Sequence, residues 1–585
     1  MKFKRLADYL AKLEQTNSRL AITEILAALF DQADGQEVAQ ICYLSQGRLG
    51  PRFANTEFNL AEKLMVRVLA KAYGQEEKEI RKAYQQKGDL GDLVQLYDQQ
   101  EKSKPLSVSQ VYQQLEIIAQ EGGGGSVERK INQLASLLSG LESQSAKFVV
   151  RITLGKLRLG FSDLTILDAL SWLVAGNKSK REVVEEAYNI RADAGYIAQV
   201  VKEKGLQGLE KLTVSLGVPV MPALCQRLGT TEEIITKMAP RQAFAPSSGR
   251  GVQEEAMVAV EPKYDGARLQ IHFGSQQTVI FTRNLENVAA MFPDLVAALG
   301  KELKAKSVIL DGEAIGYDPQ TSRFLPFQET IKRKRKYEVG ATSKEIPLKY
   351  FCFDILFYNG QSWLKKPFRQ RRRLLEQVLP KSNQTIMLSP QIVTADPERL
   401  RCYHDEQIAK GLEGVVIKKW SAPYEPGRRG FTWVKLKSEK GKKGAGLTDT
   451  LDCVVMGYYH GRGKRAAFGI GAFLVGARHG QEFLTVSKIG TGLTDNQWRE
   501  MKRRCRGTEL IKMPRNYQVD KNLFPDVWCE PKIVVEIEAD NITRSPIHTA
   551  QYALRFPRLI RFRDDKDAFQ ATSLAELKKL YELQK

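Results

Sequence analysis

The stretch "VAVEPKYDGARLQIHF", Val258–Phe273, decides how the central part of this chain is interpreted. Two apolar runs of β type flank the charged segment K-Y-D-G, so Lys263 stands in a strand just ahead of an Asp-Gly turn, with Arg268 just beyond it. Asp-Gly is a frequent hairpin turn, and a charged β-hairpin is one interpretation. The other is that the corner presents the Lys263 amine to a molecule that it attacks.

The overall charge favours a polyanionic partner. The chain has 585 residues, which is more than a domain with a single hydrophobic core usually contains, so three or four domains are expected. Its 89 basic and 68 acidic residues leave a net charge of +21. Such a balance favours nucleic acid well ahead of an anionic membrane.

The cysteines and the N-terminus indicate an intracellular protein. Seven cysteines are scattered singly, without a C-x-x-C pair, which argues against a zinc site and a disulfide framework. The N-terminal "MKFKRLADYL" lacks a long apolar segment, and no run of 18 apolar residues occurs. We therefore expect a protein of the cytoplasm or nucleoid that does not span a membrane.

The first third of the chain has the periodicity of helices. Phe3, Leu6, Leu10 and Leu13 fall on one helical face, and "TNS" at 16–18 can cap the next helix. The segment "EGGGGS" at 121–126 interrupts this pattern. It is either a flexible hinge or a loop whose backbone N–H groups approach a phosphate beside a helix N-terminus.

Two changes in composition predict three domains. Short β-rich runs begin after 217–229. The Gly/Lys-rich segment "SEKGKKGAG" at 438–446 is typical of a linker, and a further β-rich region follows it. We predict an all-α domain over 1–216, an α+β domain over 217–440 and a small β-barrel over 441–585.

An ordered set of charged and aromatic residues follows the K-Y-D-G segment. Its members are Arg283 in "TRN", Glu313 after the Asp-Gly corner of "LDGEAI", Phe353 in "YFCFDIL", Glu413 and Lys418 in "EGVVIK", and Lys435 and Lys437 in "WVKLK". Taken singly, each has an ordinary explanation as a core aromatic, a solvated acid or a solvated strand face. The order of the whole set favours a chemical site, in which the last two lysines share one face of a strand.

The residues of this set have complementary chemical roles in one reaction. A lysine attacks only as the neutral amine, and phosphorus is the natural electrophile among phosphate-binding cations and carboxylates. Glu313 and Glu413 can hold Mg²⁺ or ribose hydroxyls, and Lys435 and Lys437 can neutralise charge on an α-phosphate and its leaving pyrophosphate. An aromatic face can stack a base. The product of such an attack is a lysyl-nucleotide phosphoramidate.

With these motifs in order, the chain resembles the ATP-dependent DNA ligases of the archaeal and eukaryotic replicative type. The resemblance covers essentially the whole chain. It rests on "KYDGAR", "TRN", "LDGEAI", "FDIL", "EGVVIK", "WVKLK", "RFPRLIRFRDDK" at 555–566, "QGRLGP", "TLGKLRLGFSD", "GRGKRAAF" and "IGTGLTD". It implies an all-α DNA-binding domain, an α+β adenylation (nucleotidyltransferase) domain and an OB-fold β-barrel.

The resemblance also implies a three-step reaction. Lys263 is adenylylated by ATP, the AMP passes to the 5′-phosphate of a nick in duplex DNA, and the 3′-hydroxyl then displaces AMP. Mg²⁺ is the expected metal, with Mn²⁺ as a substitute, and the enzyme is expected to act as a monomer. DNA replication, repair and recombination are the processes that it would serve.

Roles for individual residues follow from the same resemblance. Glu261 is expected to read the adenine edge, Phe353 to stack the adenine and Arg268 to contact the ribose or the 5′-phosphate side. The cations expected near nucleotide phosphates are Arg283, Arg429, Lys435 and Lys437, with Arg563 and Lys566 at the β- and γ-phosphates. The expected DNA contacts are Ser126, Arg129, Lys130, and the minor-groove aromatics Phe327 and Phe556.

Three alternative functions stay open at this point: an RNA ligase, an mRNA-capping enzyme and a non-catalytic DNA-binding scaffold. An RNA ligase or an mRNA-capping enzyme would also use a K-x-D-G lysine, although the helical first third and "RFPRLIR" favour a DNA ligase. A non-catalytic DNA-binding scaffold would be expected to have lost charged residues that are all present here. No clear clamp-binding box occurs near "YDQQEKSKPLSVSQVY", so docking on a sliding clamp is left open.

Overall fold

The computed structural model divides into two compact units, Met1–Lys437 and Ser438–Lys585. It describes residues 1–583 except 17, 98–104, 158, 240–255, 276, 322, 326, 334–339, 341–342, 344, 438–448, 462–464 and 466–467. The predicted linker at 438–446, the predicted boundary at 440, most of "GRGKRAAF", part of the stretch searched for a clamp-binding box and the side chain of Phe327 lie outside the described residues. The predicted boundary at 216 stays a prediction.

The N-terminal region is helical. Helices α1–α12 are Phe3–Glu14, Arg19–Asp31, Gly35–Leu44, Glu62–Tyr73, Glu77–Lys87, Leu90–Val94, Val108–Gln120, Ser126–Ser139, Ser143–Thr153, Asp163–Ala175, Arg181–Ile190 and Ala194–Glu210. The four apolar residues predicted for one face of α1 are fully buried, which confirms that face. The predicted cap of α2 is also present, because the Ser18 hydroxyl accepts a hydrogen bond from the Ala21 N–H at 3.3 Å.

The rest of the first unit mixes strands and helices. Its strands β1–β11 are Leu224–Arg227, Val258–Pro262, Ala267–Phe273, Thr278–Thr282, Val308–Gly316, Leu348–Tyr358, Gln361–Ser362, Ile386–Leu388, Ile392–Thr394, Gly414–Lys419 and Arg429–Lys437. Its helices α13–α17 are Thr231–Met238, Pro293–Glu302, Phe327–Thr330, Phe368–Val378 and Pro397–Ala409.

These strands form two separate sheets. One has the order β1-β11-β10-β2-β9 and the other the order β4-β3-β5-β6-β7, with β8 pairing parallel to β6. Helices α13 and α17 pack on the first sheet and α14 and α16 on the second. A small apolar cluster, which includes Phe357 of β6 and Trp433 of β11, joins the two sheets.

The second unit is built on a branched sheet. Its strands β12–β21 are Leu451–Tyr459, Ala472–His479, Glu482–Ile489, Glu509–Leu510, Tyr517–Gln518, Val527–Cys529, Val534–Glu538, Asn541–Arg544, Tyr552–Arg555 and Arg558–Phe562, and its helices α18 and α19 are Asp495–Arg506 and Leu574–Leu583. Strand β12 pairs with β13 on one side and with both β17 and β18 on the other, so the sheet curls. The closed OB-fold barrel stays a prediction.

Within the described part of the chain, no helix is both long and apolar enough to cross a bilayer.

The segment between α12 and β1 is bound to β3 by two polar side chains. The Gln270 amide exchanges two hydrogen bonds with the Val220 main chain, at 2.8 and 3.0 Å. The Gly217 N–H donates to His272 Nδ1 at 3.2 Å, and His272 Nε2 lies 2.9 Å from Gln270 Oε1. Nε2 therefore carries the proton, and this neutral tautomer satisfies both ring nitrogens. Burial lowers the pKa of His272 to about 3.

The buried His272 is expected to make the folded protein less stable in acid. Its pKa is lower in the folded chain than the usual unfolded value of about 6.5, so the unfolded chain binds the extra proton and stability falls as the pH drops below that value. Between pH 6.5 and 4.5 we expect His272 to account for a loss of about 2 to 3 kcal/mol. This loss is measured as a change in the opening free energy of the β3 peptide, by hydrogen exchange in urea at several pH values.

The matched variant is His272→Gln, which cannot titrate in this range. The difference in opening free energy between the native chain and this variant should shrink as the pH falls. An equal pH dependence in both proteins would contradict the assignment.

Candidate active site

Lys263 lies where the chain passes from one sheet to the other. It follows β2 directly, and 263–266 carry the chain to β3 in the second sheet. The charged-hairpin interpretation is therefore wrong, because β2 pairs with β9 and β10, whereas β3 pairs with β4 and β5. Lys263 also lies just beyond the strand rather than within it, with its side chain 23% exposed.

Main-chain contacts fix this corner. The Lys263 N–H donates to the Gly414 carbonyl at 2.9 Å, and the Glu413 N–H donates to the Lys263 carbonyl at 3.2 Å. Gly414 has φ +135°, and a Cβ there would lie 2.2 Å from a carbonyl oxygen of β11. A Cβ on Gly266 would lie 2.4 Å from a carbonyl oxygen of β5. Only glycine permits these close approaches.

Glu413 brings two of the predicted lysines together. Its Oε2 lies 2.6 Å from Lys263 Nζ and 3.3 Å from Lys437 Nζ. Burial acts to raise the pKa of Glu413, but the two lysines outweigh it and lower this pKa. Burial acts to lower the pKa of Lys263, and the Glu413 carboxylate outweighs it and raises that pKa. The amine is thus held as an ammonium in the free enzyme.

Glu313 lies in β5, close to the same lysine. Burial raises the pKa of Glu313 to about 7, against the opposing effect of two nearby cations. The predicted Asp-Gly corner before it is wrong, because Asp311 and Gly312 lie inside β5. A Cβ on Gly312 would lie 2.5 Å from the Tyr350 ring, so this glycine serves close packing and not a turn.

Arg268 is held by a buried acid. Its Nε and Nη2 donate to the two oxygens of Asp311 at 3.1 and 2.7 Å, and its Nη1 donates to the Ala223 carbonyl at 2.6 Å. The Tyr424 hydroxyl donates to the same carboxylate at 2.7 Å. Burial acts to lower the pKa of Arg268, and Asp311 outweighs it. These contacts fix the guanidinium 5.5 Å from the centre of the Phe353 ring.

The sequence analysis did not identify Asp311 or Tyr424. A signal for Asp311 was available, because it stands two residues before Glu313 in "LDGEAI", and residues two apart share a strand face. No local pattern marked Tyr424, whose contact with Asp311 spans 113 positions in the chain.

The remaining nucleotide candidates lie in or directly next to strands of the two sheets. Phe353 packs edge-on against Trp433 at 5.8 Å between ring centres. The strand predicted for "WVKLK" is confirmed as β11, which places Lys435 and Lys437 on one face. Arg429 is exposed at the start of β11. Arg283 is exposed just after β4 and lines a small cavity together with Arg268.

The Gly-rich loop of the helical region is closed by an arginine. Helix α8 begins at Ser126, one of the predicted DNA contacts. The Arg129 side chain donates to the carbonyls of Gly122 and Gly124 at 2.9 Å each. Gly125 has φ +72°, a conformation that favours glycine. Arg129 thus holds the loop in one conformation at the start of α8.

Lys130, another predicted DNA contact, lies inside the helical region. Its side chain is buried, with 6% of the residue exposed, and Nζ donates to the Phe58 carbonyl at 2.9 Å. In this structure Lys130 joins α8 to the chain before α4. Of the other two candidates of this segment, Ser126 is half-buried and Arg129 is exposed.

An open cleft in the first unit offers further polar surface. Its volume is about 920 Å³, and its lining includes Arg48 and Arg52 of the region around "QGRLGP", Gly155 of "TLGK" and Asn284 of "TRN". The cleft thus joins stretches that the resemblance had marked in two different regions of the sequence.

The second unit holds the cations of the last motif with two acids, because Asp565 pairs with Arg563 at 2.7 Å in addition to Asp452. Asp452 lies 2.9 Å from Arg563 Nη1 and 2.7 Å from Lys566 Nζ. Phe556 lies between β20 and β21, with φ +51° and 56% of the residue exposed. Packing in the protein interior does not account for a large aromatic ring in this exposed and strained position.

The first unit therefore carries the features of a covalent nucleotidyltransferase. A lysine is positioned by sheet register, ion-paired with a carboxylate, and bordered by further lysines and a second carboxylate. This arrangement suits attack on an activated phosphate.

The chain belongs to the ATP-dependent DNA ligase family and is a DNA ligase. It matches "DNA ligase N terminus" over residues 2–171, "ATP dependent DNA ligase domain" over 222–437 and "ATP dependent DNA ligase C terminal region" over 466–566.

Its relatives support this assignment over the full length. It is 42% identical to the "Probable DNA ligase" of Dictyoglomus turgidum, an alignment that covers 100% of this chain and 98% of that protein. It is 35% identical to the "DNA ligase" of Saccharolobus solfataricus, again over 100% and 98%. The solved structure of "Pmar-Lig_Pre" has a similar fold, with a TM-score of 0.54 and 16% identity over 96% of this chain and 99% of that one.

The buried pair of Arg268 and Asp311 in the wall of the site predicts a large stability difference between two variants. Asp311→Asn leaves the Arg268 guanidinium buried without its counter-charge, and we expect a loss of about 3 to 5 kcal/mol in the free energy of unfolding. Tyr424→Phe removes one hydroxyl and leaves the charge pair intact, so a loss of about 1 to 3 kcal/mol is expected. Urea denaturation of both variants measures the two values, and equal losses would contradict this account.

Proposed function

We propose that this enzyme seals nicks in duplex DNA through an adenylate on Lys263. The Lys263 ammonium first loses its proton to solvent, and the neutral amine then attacks the α-phosphate of ATP while the bond to pyrophosphate breaks. The AMP passes to the nick 5′-phosphate with release of the lysine amine, and the 3′-hydroxyl, which gives up its proton to solvent, displaces the AMP. The observation that carries the proposal is the ion pair of Lys263 with Glu413, beside Lys437. That cluster supplies the nucleophile and a cation for charge developing on phosphate.

We assign the base and the phosphates of ATP to separate walls of the site. Glu261 reads the adenine edge, since it lies in β2 two residues before Lys263. Phe353 stacks the ring, since it packs against Trp433 of β11, the strand that carries Lys437. Burial and the neighbouring cations lower the pKa of Lys435, so its charge is sensitive to a nearby anion. The roles of Arg268, Arg283, Arg429, Arg563 and Lys566 towards ribose and phosphates stay predictions.

The two carboxylates near Lys263 fit a magnesium ion. Mg²⁺ prefers oxygen ligands and is usually held by one or two carboxylates together with substrate phosphates. Glu313 and Glu413 supply such ligands, and the described residues contain no cluster of three or more that would bind a metal by themselves. When bound with ATP, Mg²⁺ would neutralise phosphate charge, and Mn²⁺ would be a substitute.

The DNA contacts and the biological setting are also proposals. Ser126 and Arg129 would meet the phosphate backbone, and Phe327 and Phe556 would press against sugars in the minor groove. We expect a monomer that works where the cell keeps its DNA, in replication, repair and recombination. Docking on a sliding clamp stays open.

The covalent step gives the first test of this function. Incubated with ATP labelled at the α-phosphate, the native enzyme should gain label that survives denaturation. Lys263→Ala should reduce this label by at least about a hundredfold, because the attacking amine is gone. The control Lys419→Ala removes a lysine at the end of the neighbouring strand β10 and should label normally.

The same variants separate the first step from the last. Lys263→Ala should still seal a nick whose 5′-phosphate already carries AMP, since the lysine has no bond to form there. Label on Lys263→Ala, or faster sealing of an RNA nick than of a DNA nick, would overturn the proposal.

Phe556 gives a test of the DNA contacts. We expect Phe556→Ala to slow nick sealing about tenfold while labelling by ATP is unchanged, because an exposed ring contributes little to folding. Ile560→Ala in β21, another exposed apolar residue, is the matched control and should seal normally. Equal losses in the two variants would argue against a specific contact of Phe556 with the nick.

A further inference from the structure

The turn that follows β4 is closed by its own hydrogen bonds. The Thr282 N–H donates to the Glu286 carbonyl at 3.0 Å, and the Leu285 N–H donates to the Thr282 carbonyl at 2.8 Å. The Thr282 hydroxyl also accepts hydrogen bonds from the N–H groups of Asn284 and Glu286, at 3.3 Å each. These contacts hold the residues of the turn in fixed positions relative to one another.

The helical region contacts this turn at its centre and on both sides. Leu285 is 5% exposed and belongs to an apolar cluster whose other buried members all come from the helical region. Just before the turn, the Phe281 ring packs edge-on against Phe53 at 6.0 Å between ring centres. Just after it, the Asn287 carbonyl accepts a hydrogen bond from Asn55 Nδ2 at 2.6 Å. The Leu285 side chain is therefore the central contact of the turn with the helical region.

The backbone of Leu285 adopts a conformation that costs energy. Its φ is +66°, in the left-handed region that a leucine rarely occupies. Burial of the side chain offsets this cost, because removal of apolar surface from water is favourable. Without the helical region the side chain would be exposed, and the burial that offsets the strain would be lost. The contact with the helical region therefore determines the conformation of the turn.

Arg283 lies in the same turn and is exposed. Arg283 and Leu285 line one small cavity, and its other lining residues include Arg268 and Asp311. Arg283 stands two residues before Leu285 in a hydrogen-bonded turn, so a change in the Leu285 backbone would move the Arg283 guanidinium relative to Arg268. The helical region thus sets where a candidate phosphate-binding cation lies.

We propose that Leu285 is a positioning residue for the reaction: the helical region holds its side chain, and through the turn this contact holds the Arg283 guanidinium at the nucleotide site. The inference rests on the proposed function, in which Arg283 is a cation for phosphate. Leu285 itself touches no substrate. The helical region then contributes to the chemistry in addition to the DNA contacts proposed for it.

A double-mutant cycle between Leu285 and Arg283 tests this coupling. The rate of nick sealing is measured for the native enzyme, Leu285→Ala, Arg283→Ala and the double variant, where the rate is proportional to enzyme concentration. Sealing includes all three steps, so the result does not depend on which step uses Arg283. A partial loss of folding from Leu285→Ala lowers the rate by the same factor with and without Arg283, and so does not count as coupling.

We expect Leu285→Ala to slow sealing at least about tenfold when Arg283 is present and less than about twofold in the Arg283→Ala background. Without the guanidinium, the turn has no cation to position. Leu285→Met keeps an apolar side chain of similar volume and should retain most of the native rate. The matched control is Leu13→Ala in α1, another buried leucine, which should change the rate by the same factor in both backgrounds.

A second variant keeps the test decisive if circular dichroism shows that Leu285→Ala is unfolded. Asn55→Gly removes the hydrogen bond to the Asn287 carbonyl, and glycine suits the backbone of Asn55, whose φ is +51°. It takes the place of Leu285→Ala in the cycle, and the same dependence on Arg283 is expected.

The outcomes separate this inference from the proposed function. If the native enzyme forms no covalent adduct with ATP, the proposed function fails and this inference fails with it. If the native enzyme is labelled and seals nicks, but Leu285→Ala slows sealing equally with and without Arg283, only this inference is overturned. An Arg283→Ala variant that seals at the native rate would also overturn it alone, since no cation would then need positioning.

Discussion

The candidate active site depends on two main-chain hydrogen bonds between Lys263 and the pair Glu413–Gly414. They join the end of β2 to the start of β10, so the Lys263 amine and the Glu413 carboxylate are brought together by sheet register. A register slip of one residue would turn each side chain to the opposite face. Side-chain packing can relax around a substitution, but this register cannot shift by a fraction of a residue. The glycine at 414 is required because β11 passes so close to it.

Around this centre, the walls of the site consist of paired charges. Asp311 holds Arg268, and Glu261 holds Lys418. In each pair both partners are largely buried, and loss of one would leave a buried charge uncompensated. Such pairs therefore keep the polar groups of the site in fixed positions before a substrate arrives, which favours catalysis by a preorganised electrostatic field.

Much of this architecture could be predicted from local sequence, and the exceptions have a common cause. Helical periodicity predicted α1, and strand alternation predicted the shared face of Lys435 and Lys437. Both Asp-Gly pairs were predicted to be corners, and a hairpin was one of two interpretations of the first. The first instead crosses between sheets, and the second lies within β5. An Asp-Gly pair can form a hairpin turn, connect two sheets or lie inside a continuous strand. Which of these occurs depends on strand partners distant in the chain, and a single stretch of sequence does not reveal them. The same distance explains why the contact of Tyr424 with Asp311 was not predicted.

Asp452 holds both Arg563 and Lys566 in the second unit. Two cations that share one carboxylate are not independent binding groups. Displacement of Asp452 alone would free the Lys566 ammonium but leave the Arg563 guanidinium paired with Asp565. Both positive charges are thus already neutralised by carboxylates of the same unit, so an anion that binds there has to compete with them.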